Sequence, residues 1–558
     1  MKSNLRIQFI PALFALLTSL ACAAHPAKAA VYQWSVPIPS VTSGETNDHP
    51  QAFLWIPSGC KRVRAVVVGQ HNMLEEDILE DPAFRKTLSN LGFAEVWVTP
   101  MFNMVFRFDQ GAGDQFTQMM TDLAKESGYT ELQYAPVVPI GHSAAASYPW
   151  NFGAWNPDRT LAILSVHGDA PLTNLTGSGQ KNPDWGDRTI DGVPGLMAMG
   201  EYEWGDARMT PALDYVAKHP TAPISVLCDA GNSHFSASDE LIQYLGLFLR
   251  KAAQYRLPST APIDGPVTLK PVDPKQGWLV DRWRFQNPPT APPAPYDKYT
   301  GDRTQAFWCF DKEMADATEA YYRRQRGKLP QLVSVAQDGK TIPYVDGFYG
   351  VTIPFEPLAD GVSFHLSGTF LDTVPKGGPE HWTGLPAGSP IGHATGGGPV
   401  TINRICGPLA QTGPDTYSLR FYRMGMNNTK RTSVIWFLIR QRGDAKYKEI
   451  EEQAAMNVPY PNTKGTAQQI TFPEIQNQRA REKFLRLNAT SDASVPVYYY
   501  VEEGPAEVTN GNVLAFSPIP PRAKFPVKVT IVAWQFGRTF EPFLQSATPV
   551  TQTFYITK

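Results

Sequence analysis

Ala135–Trp150 reads APVVPIGHSAAASYPW. An apolar run, Val137 to Ile140, breaks at Gly141-His142-Ser143, and Ala144, Ala145 and Ala146 follow at once. A continuous apolar run is what a parallel strand covered on both faces looks like. Small residues on both sides of a serine fit a sharp strand-to-helix turn, where a bulky neighbour has no room. Gly141 and Ala145 occupy the two crowded positions, with alanine at 145 where glycine is commoner. Pro149 limits the following helix, which is expected to be short or kinked. A Gly-x-Ser triplet is common by chance, so the rest of the chain decides whether Ser143 is a nucleophile or a helix-capping serine.

The same texture recurs on either side. VYQWSVPI and QAFLWIPS read as two opening strands, and RAVVVGQ and FAEVWVTP as the next two. After the serine come TLAILSVHG, VPGLMAMG and PISVLCDAG, with helical candidates between them. The last helix is marked by Leu241, Ile242, Leu245, Phe248, Leu249 and Ala252 at helical spacing, with Ser236 and Asp239 as its capping box. Alternating strands and helices from residue 31 to 258 predict an α/β fold built on a mostly parallel sheet with flanking helices. Residues 259–330 are proline-rich and read as a linker with a helical appendix, AFWCFDKEMADATEAYYRRQRGK. Short strands between Gly/Pro turns then predict two β-sandwiches, 331–462 and 463–558.

The chain has 558 residues and a net charge of −2, with no basic stripe, so a nucleic-acid partner is not expected. Lys2 and Arg6 precede FIPALFALLTSLACAA, and Ala27-Lys28-Ala29 has the form of a cleavage site. Residues 1–29 are therefore expected to be a signal peptide and the mature protein to be secreted or periplasmic. Lipid anchoring at Cys22 is the weaker alternative. No later run is long enough for a membrane span. Cys60, Cys228, Cys309 and Cys406 remain; an exported protein could pair them in three ways. No CxxC motif occurs, and neither a metal nor a cofactor is expected.

A serine hydroxyl becomes a nucleophile only when a histidine takes its proton and a carboxylate orients that histidine. On a parallel sheet these groups follow successive strand ends, in the order serine, acid, histidine. His234, in CDAGNSHF, follows the last apolar strand and is the expected base. His167 comes too early in strand order, and His142 is the x of the triplet; His142 and His71, both at strand ends, are expected to line the substrate site. Glu203, three residues after the glycine that ends GLMAMG, is the expected acid, with Glu201 and Asp169 as alternatives and Asp206 as an outsider. A tetrahedral oxyanion needs amide donors. Ala144 is one, and Asn72 or Met73, after AVVVG, the other, with His71 packed beneath. Trp150, Trp155, Trp185 and Trp204 sit on segments leaving the strand rim, where their faces could meet sugar or aryl rings. Arg188 and Arg208 could meet a carboxylated substrate, and the polar insertion 172–192 could form a lid.

On VVVGQHNM, PIGHSAAA, MAMGEYEW and DAGNSHF, residues 31–258 resemble a secreted α/β-hydrolase. From about residue 465, ITFPEIQNQ, LNATSDASVPVYYYVEEGPAEV and FPVKVTIVAWQFG resemble a bacterial Ig-like domain of exported proteins. The combination is similar to bacterial carbohydrate esterases. The resemblance implies a serine esterase that removes acetyl, methyl or feruloyl groups from a polysaccharide or related small molecule. A secreted peptidase with the same triad, or a glycan-binding protein with a degenerate hydrolase, are the alternatives.

Overall fold

The apolar runs become the strands of one sheet. The computed structural model describes residues 31–558 apart from 177–178, 204–205, 286, 346–349 and 378. The expected signal peptide and Cys22 lie outside the described residues, as does Trp204. The strands are β1 (Trp34–Pro37), β2 (Gln51–Trp55), β3 (Ala65–Gln70), β4 (Phe93–Thr99), β5 (Val137–His142), β6 (Ile163–Val166), β7 (Gly195–Gly200) and β8 (Ile224–Asp229). They lie in the order β1-β2-β4-β3-β5-β6-β7-β8. β1 and β2, and β2 and β4, pair antiparallel; every pair from β4 through β8 is parallel.

Alternate side chains of each strand enter opposite cores. Val67, Ile140 and Leu164 face one side with Leu74, Phe84, Leu241 and Phe248. Val66, Val68 and Val137 face the other with Phe116, Met119, Leu123 and Phe152. Helices α1 (Leu74–Glu80), α2 (Pro82–Leu91) and α6 (Asp239–Arg256) cover the first face. Helices α3 (Ala112–Ser127) and α4 (Ser147–Trp155) cover the second, and α5 (Asp206–Lys218) follows β7. The cap of α6 is Ser238, whose Oγ accepts the Leu241 amide at 3.0 Å, rather than the expected Ser236. Ser236 Oγ is committed to Asp229 at 2.7 Å.

Residues 259–330 carry more than a linker and a helix. Trp278–Asp281, Ala294–Pro295 and Ala306–Cys309 form a three-stranded sheet. AFWC, expected to open the helix, is its edge strand; α7 (Lys312–Arg323) starts only at the Asp311 cap, which accepts the Met314 amide. Trp308, Met314 and Tyr322 extend the first core of the main sheet.

Beyond residue 330 the chain forms small sheets. In one, Val351–Ile353, Ile450–Asn457, Val434–Gln441 and Thr401–Cys406 lie side by side. In another, Gln478–Arg479, Val550–Thr557, Val527–Trp534 and Tyr498–Glu503 do so. Phe472, Tyr499, Ile531 and Phe554 of the C-terminal sheets continue the second core of the main sheet. Cys60, Cys228, Cys309 and Cys406 are all buried and unpaired. Among the described residues, no helix is long and apolar enough to cross a membrane.

Candidate active site

Ser143 stands at the end of β5 with φ of +52°, a left-handed conformation that costs a non-glycine residue energy and is kept where the surroundings enforce it. A Cβ at Gly141 would collide with the Ala145 carbonyl, so the turn accepts only glycine there. A single 3-10 turn, Ser143–Ala145, leads into α4, which ends at Trp155. The helix is short, as Pro149 suggested. Ala144 is the middle residue of this first turn, where amides lack intrahelical acceptors.

His234 arrives on the loop after β8. The Ser143 hydroxyl lies 2.6 Å from His234 Nε2, and His234 Nδ1 lies 3.0 Å from Glu203 Oε2. The Glu203 side chain has no exposure, whereas that of His234 keeps 12%, so the imidazole is reachable and its carboxylate partner is not. Burial by itself would raise the Glu203 carboxyl. The charges of His234 and His167 and their hydrogen bonds outweigh it and hold Glu203 well below the usual carboxylate range. An ionised acid fixes Nδ1–H on His234 and leaves Nε2 as the acceptor for the serine proton.

His142 packs against the base, with ring centroids 5.0 Å apart, and its Nε2 lies 3.0 Å from the His234 carbonyl. Burial, then the neighbouring His234 and His167, drive its pKa well down, so it is a neutral donor bracing the base loop rather than a substrate ligand.

The alternative acids are engaged elsewhere. Glu201 takes Lys448 Nζ at 2.7 and 2.8 Å, the Gly231 amide at 2.7 Å and Trp283 Nε1 at 3.2 Å. Asp169 accepts the amides of Leu175 and Thr176, the Thr176 hydroxyl and Arg208 Nη1, and so pins the expected lid. Thr176 Oγ1 in turn donates to the Ser143 carbonyl at 2.7 Å.

Several expected substrate contacts are corrected. Asn72 and Met73 do not aim their amides at the nucleophile. Both donate to Glu75 Oε2, at 3.2 and 2.9 Å, because a buried carboxylate at the start of α1 needs donors. His71 is buried beside Glu76, with its Nδ1 3.5 Å from that carboxylate. Trp150 and Trp185 are core residues, their indoles donating to the Asp169 carbonyl and to Asn151. Trp155 packs on Phe116 and Phe152. Arg208 is buried in its ion pair with Asp169, and Arg188 lies over the Phe108 ring.

An aromatic-lined cavity is built instead largely by residues later in the chain. A cavity of about 280 Å³ beside the acid loop is lined by Tyr202, Trp283, Phe285 and Trp382, together with Met199 and Glu201. Trp382 stacks on Tyr202 at 5.6 Å. Spacing from the strand rim could not find these rings, since Trp283, Phe285 and Trp382 follow β8 by more than fifty residues.

The sheet order, the tight turn at Ser143 and the residues at the strand ends of the N-terminal part resemble those of an α/β hydrolase. No family model and no curated protein matches the sequence. Among solved structures, the chain is similar to FphF, a fluorophosphonate-binding serine hydrolase of Staphylococcus aureus, at 11% identity. The match covers 40% of this chain and 99% of that one, with a TM-score of 0.28. It is also similar to an esterase from Pyrobaculum calidifontis (15% identity, 41% and 87% covered, TM-score 0.29) and to Est1E from Butyrivibrio proteoclasticus (15%, 37% and 95%, 0.26).

Proposed function

We propose that the chain is an exported serine hydrolase of carboxylic esters, working through Ser143, His234 and Glu203. The carrying observation is the unbroken line from Ser143 Oγ to His234 Nε2 at 2.6 Å and from His234 Nδ1 to Glu203 at 3.0 Å. Ser143 Oγ attacks the ester carbonyl while His234 takes its proton. The tetrahedral oxygen accepts the Ala144 amide. His234 then protonates the leaving alcohol, the C–O bond breaks, and water repeats the sequence to free the acid and Ser143. Glu203 stays ionised throughout and stabilises the imidazolium.

The finer reading is an ester borne by a polysaccharide or related compound: acetyl, methyl or feruloyl. The four aromatic rings around the cavity beside the acid loop support it, since flat apolar faces suit sugar and aryl rings. The leader-like residues 1–29 support export, and the C-terminal strands 463–558 support an Ig-like module on an exported enzyme.

A panel of p-nitrophenyl acetate, acetylated xylan, methylated pectin, methyl ferulate and peptide anilides separates the possibilities. Ester turnover by the wild type is expected, with a loss of at least about a thousandfold in Ser143→Ala. Equal inactivity of both proteins on every ester would contradict the reading. Peptide cleavage without ester turnover would make the chain a peptidase with the same triad.

A further inference from the structure

The triad leaves one buried histidine beside it unexplained. His167 follows β6 with φ of +45°, and its side chain has no exposure. Its Nδ1 lies 2.6 Å from Glu203 Oε1, the carboxylate oxygen that His234 does not use. The Gly200 amide reaches the same place, 2.8 Å from Glu203 Oε1 and 3.0 Å from His167 Nδ1. Glu203 is ionised and carries no proton, so the 2.6 Å contact requires one on Nδ1, and the amide belongs to the carboxylate. The opposite nitrogen, Nε2, faces a second carboxylate, Asp229 Oδ2, at 3.9 Å. A ring with an acid before each nitrogen is best satisfied as an imidazolium.

Other groups around the ring do not cancel this. The rings of His142 and His234 lie 6.2 and 6.3 Å away. From α5, Arg208 reaches the Gly168 carbonyl but is paired with Asp169. On the β8 side, Asp229 also accepts Tyr321, Ser236 and Asn232, and Glu451 lies behind Ser236. Burial opposes charging of His167. The charge of Glu203, its hydrogen bond and the charge of Asp229 outweigh that and raise its pKa.

We propose that His167 is a positioning residue of this site: its Nδ1–H holds the Glu203 oxygen that His234 does not use, and so keeps the other oxygen aimed at His234 Nδ1. The proposal rests on the reading of Ser143 as nucleophile. A carboxylate held on one side only can turn away from the base, and a base whose Nδ1–H is not fixed serves the serine less often.

The test is the rate at which a fluorophosphonate labels Ser143 at neutral pH, which needs no knowledge of the natural substrate. His167→Ala removes the donor to Glu203; His167→Asn keeps an N–H toward it, with His167→Gln as the second variant should Asn fail to fold. The expected result is labelling at least about tenfold slower in His167→Ala and largely restored in His167→Asn or His167→Gln. Labelling of a folded His167→Ala at the wild-type rate, or an equal loss in all three variants, overturns the proposal alone. A wild type that is never labelled removes the nucleophile reading and this proposal with it.

Discussion

Glu75 joins the two sides of the nucleophile's surroundings at the scale of a single carboxylate. Its Oε2 accepts the amides of Asn72 and Met73 on the loop after β3, and its Oε1 accepts the His142 amide, at 2.6 Å, at the end of β5. Burial nevertheless outweighs these three donors and pushes its pKa from 4.5 to about 7. The sign follows from linkage. The unfolded chain releases this proton near pH 4.5 and the folded one near 7, so folding loses stability as pH rises through that window, by ~3 kcal/mol in all. Glu75→Gln removes that slope and also leaves one oxygen for three amides. Urea unfolding is expected to show the variant gaining on the wild type between pH 5 and pH 8. Its kcat should fall by about tenfold or more with KM little changed, because the loop beside the nucleophile loses its anchor.

At the scale of elements, the parallel strands and the meeting of Ser143, Glu203 and His234 were legible because each strand end of an α/β sheet projects its loop onto one rim. Gly141, Pro149 and the position of Glu203 three residues past Gly200 carried enough steric information to place the turn at Ser143 and to bring Glu203 beside His234. The loop after β3 was not legible, since nothing in QHNML says that Glu75 will take the amides of Asn72 and Met73. Nor was strand Ile450–Asn457 recognised. Its IEEQ reads as solvent-facing, yet Glu451 has no exposure and lies 3.0 Å from Arg440 on the neighbouring strand. That strand matters to the site: Glu451 accepts the Ser233 hydroxyl at 3.0 Å through its carbonyl and bridges Asn232, two residues from His234. The tryptophans of α4 and of the lid misled for a related reason. A segment leaving the rim can fold straight back into the core, and the apolar α4 does so.

Across the whole molecule, the residues beyond 330 act as a wall of the site. Trp436 meets Phe235 next to the base, Lys448 pairs with Glu201 under the acid loop, and Arg431 donates to the Asn72 carbonyl. Arg404 locks this wall to α1, bridging Glu76 and Glu80, while the Tyr422 hydroxyl donates to Glu76 at 2.8 Å. Burial pushes Glu76 up to about 7 even with Arg404 opposing. Arg404→Met would leave Glu76 buried and unpaired, at a cost of about 3–5 kcal/mol where it is ionised. Denaturation is expected to show most of that loss at pH 8 and much less at pH 5, where Glu76 binds a proton; an equal loss at both would place the effect in packing instead.

The central claim is that Ser143 is the nucleophile and that His234, held by Glu203, activates it. Peptide mapping of the protein after reaction with a fluorophosphonate tests this most directly. The account predicts one covalent adduct, on Ser143, formed at least about a hundredfold more slowly in His234→Ala and slowed in Glu203→Ala. An adduct on another residue, or labelling of Ser143 at the same rate without His234, would contradict it.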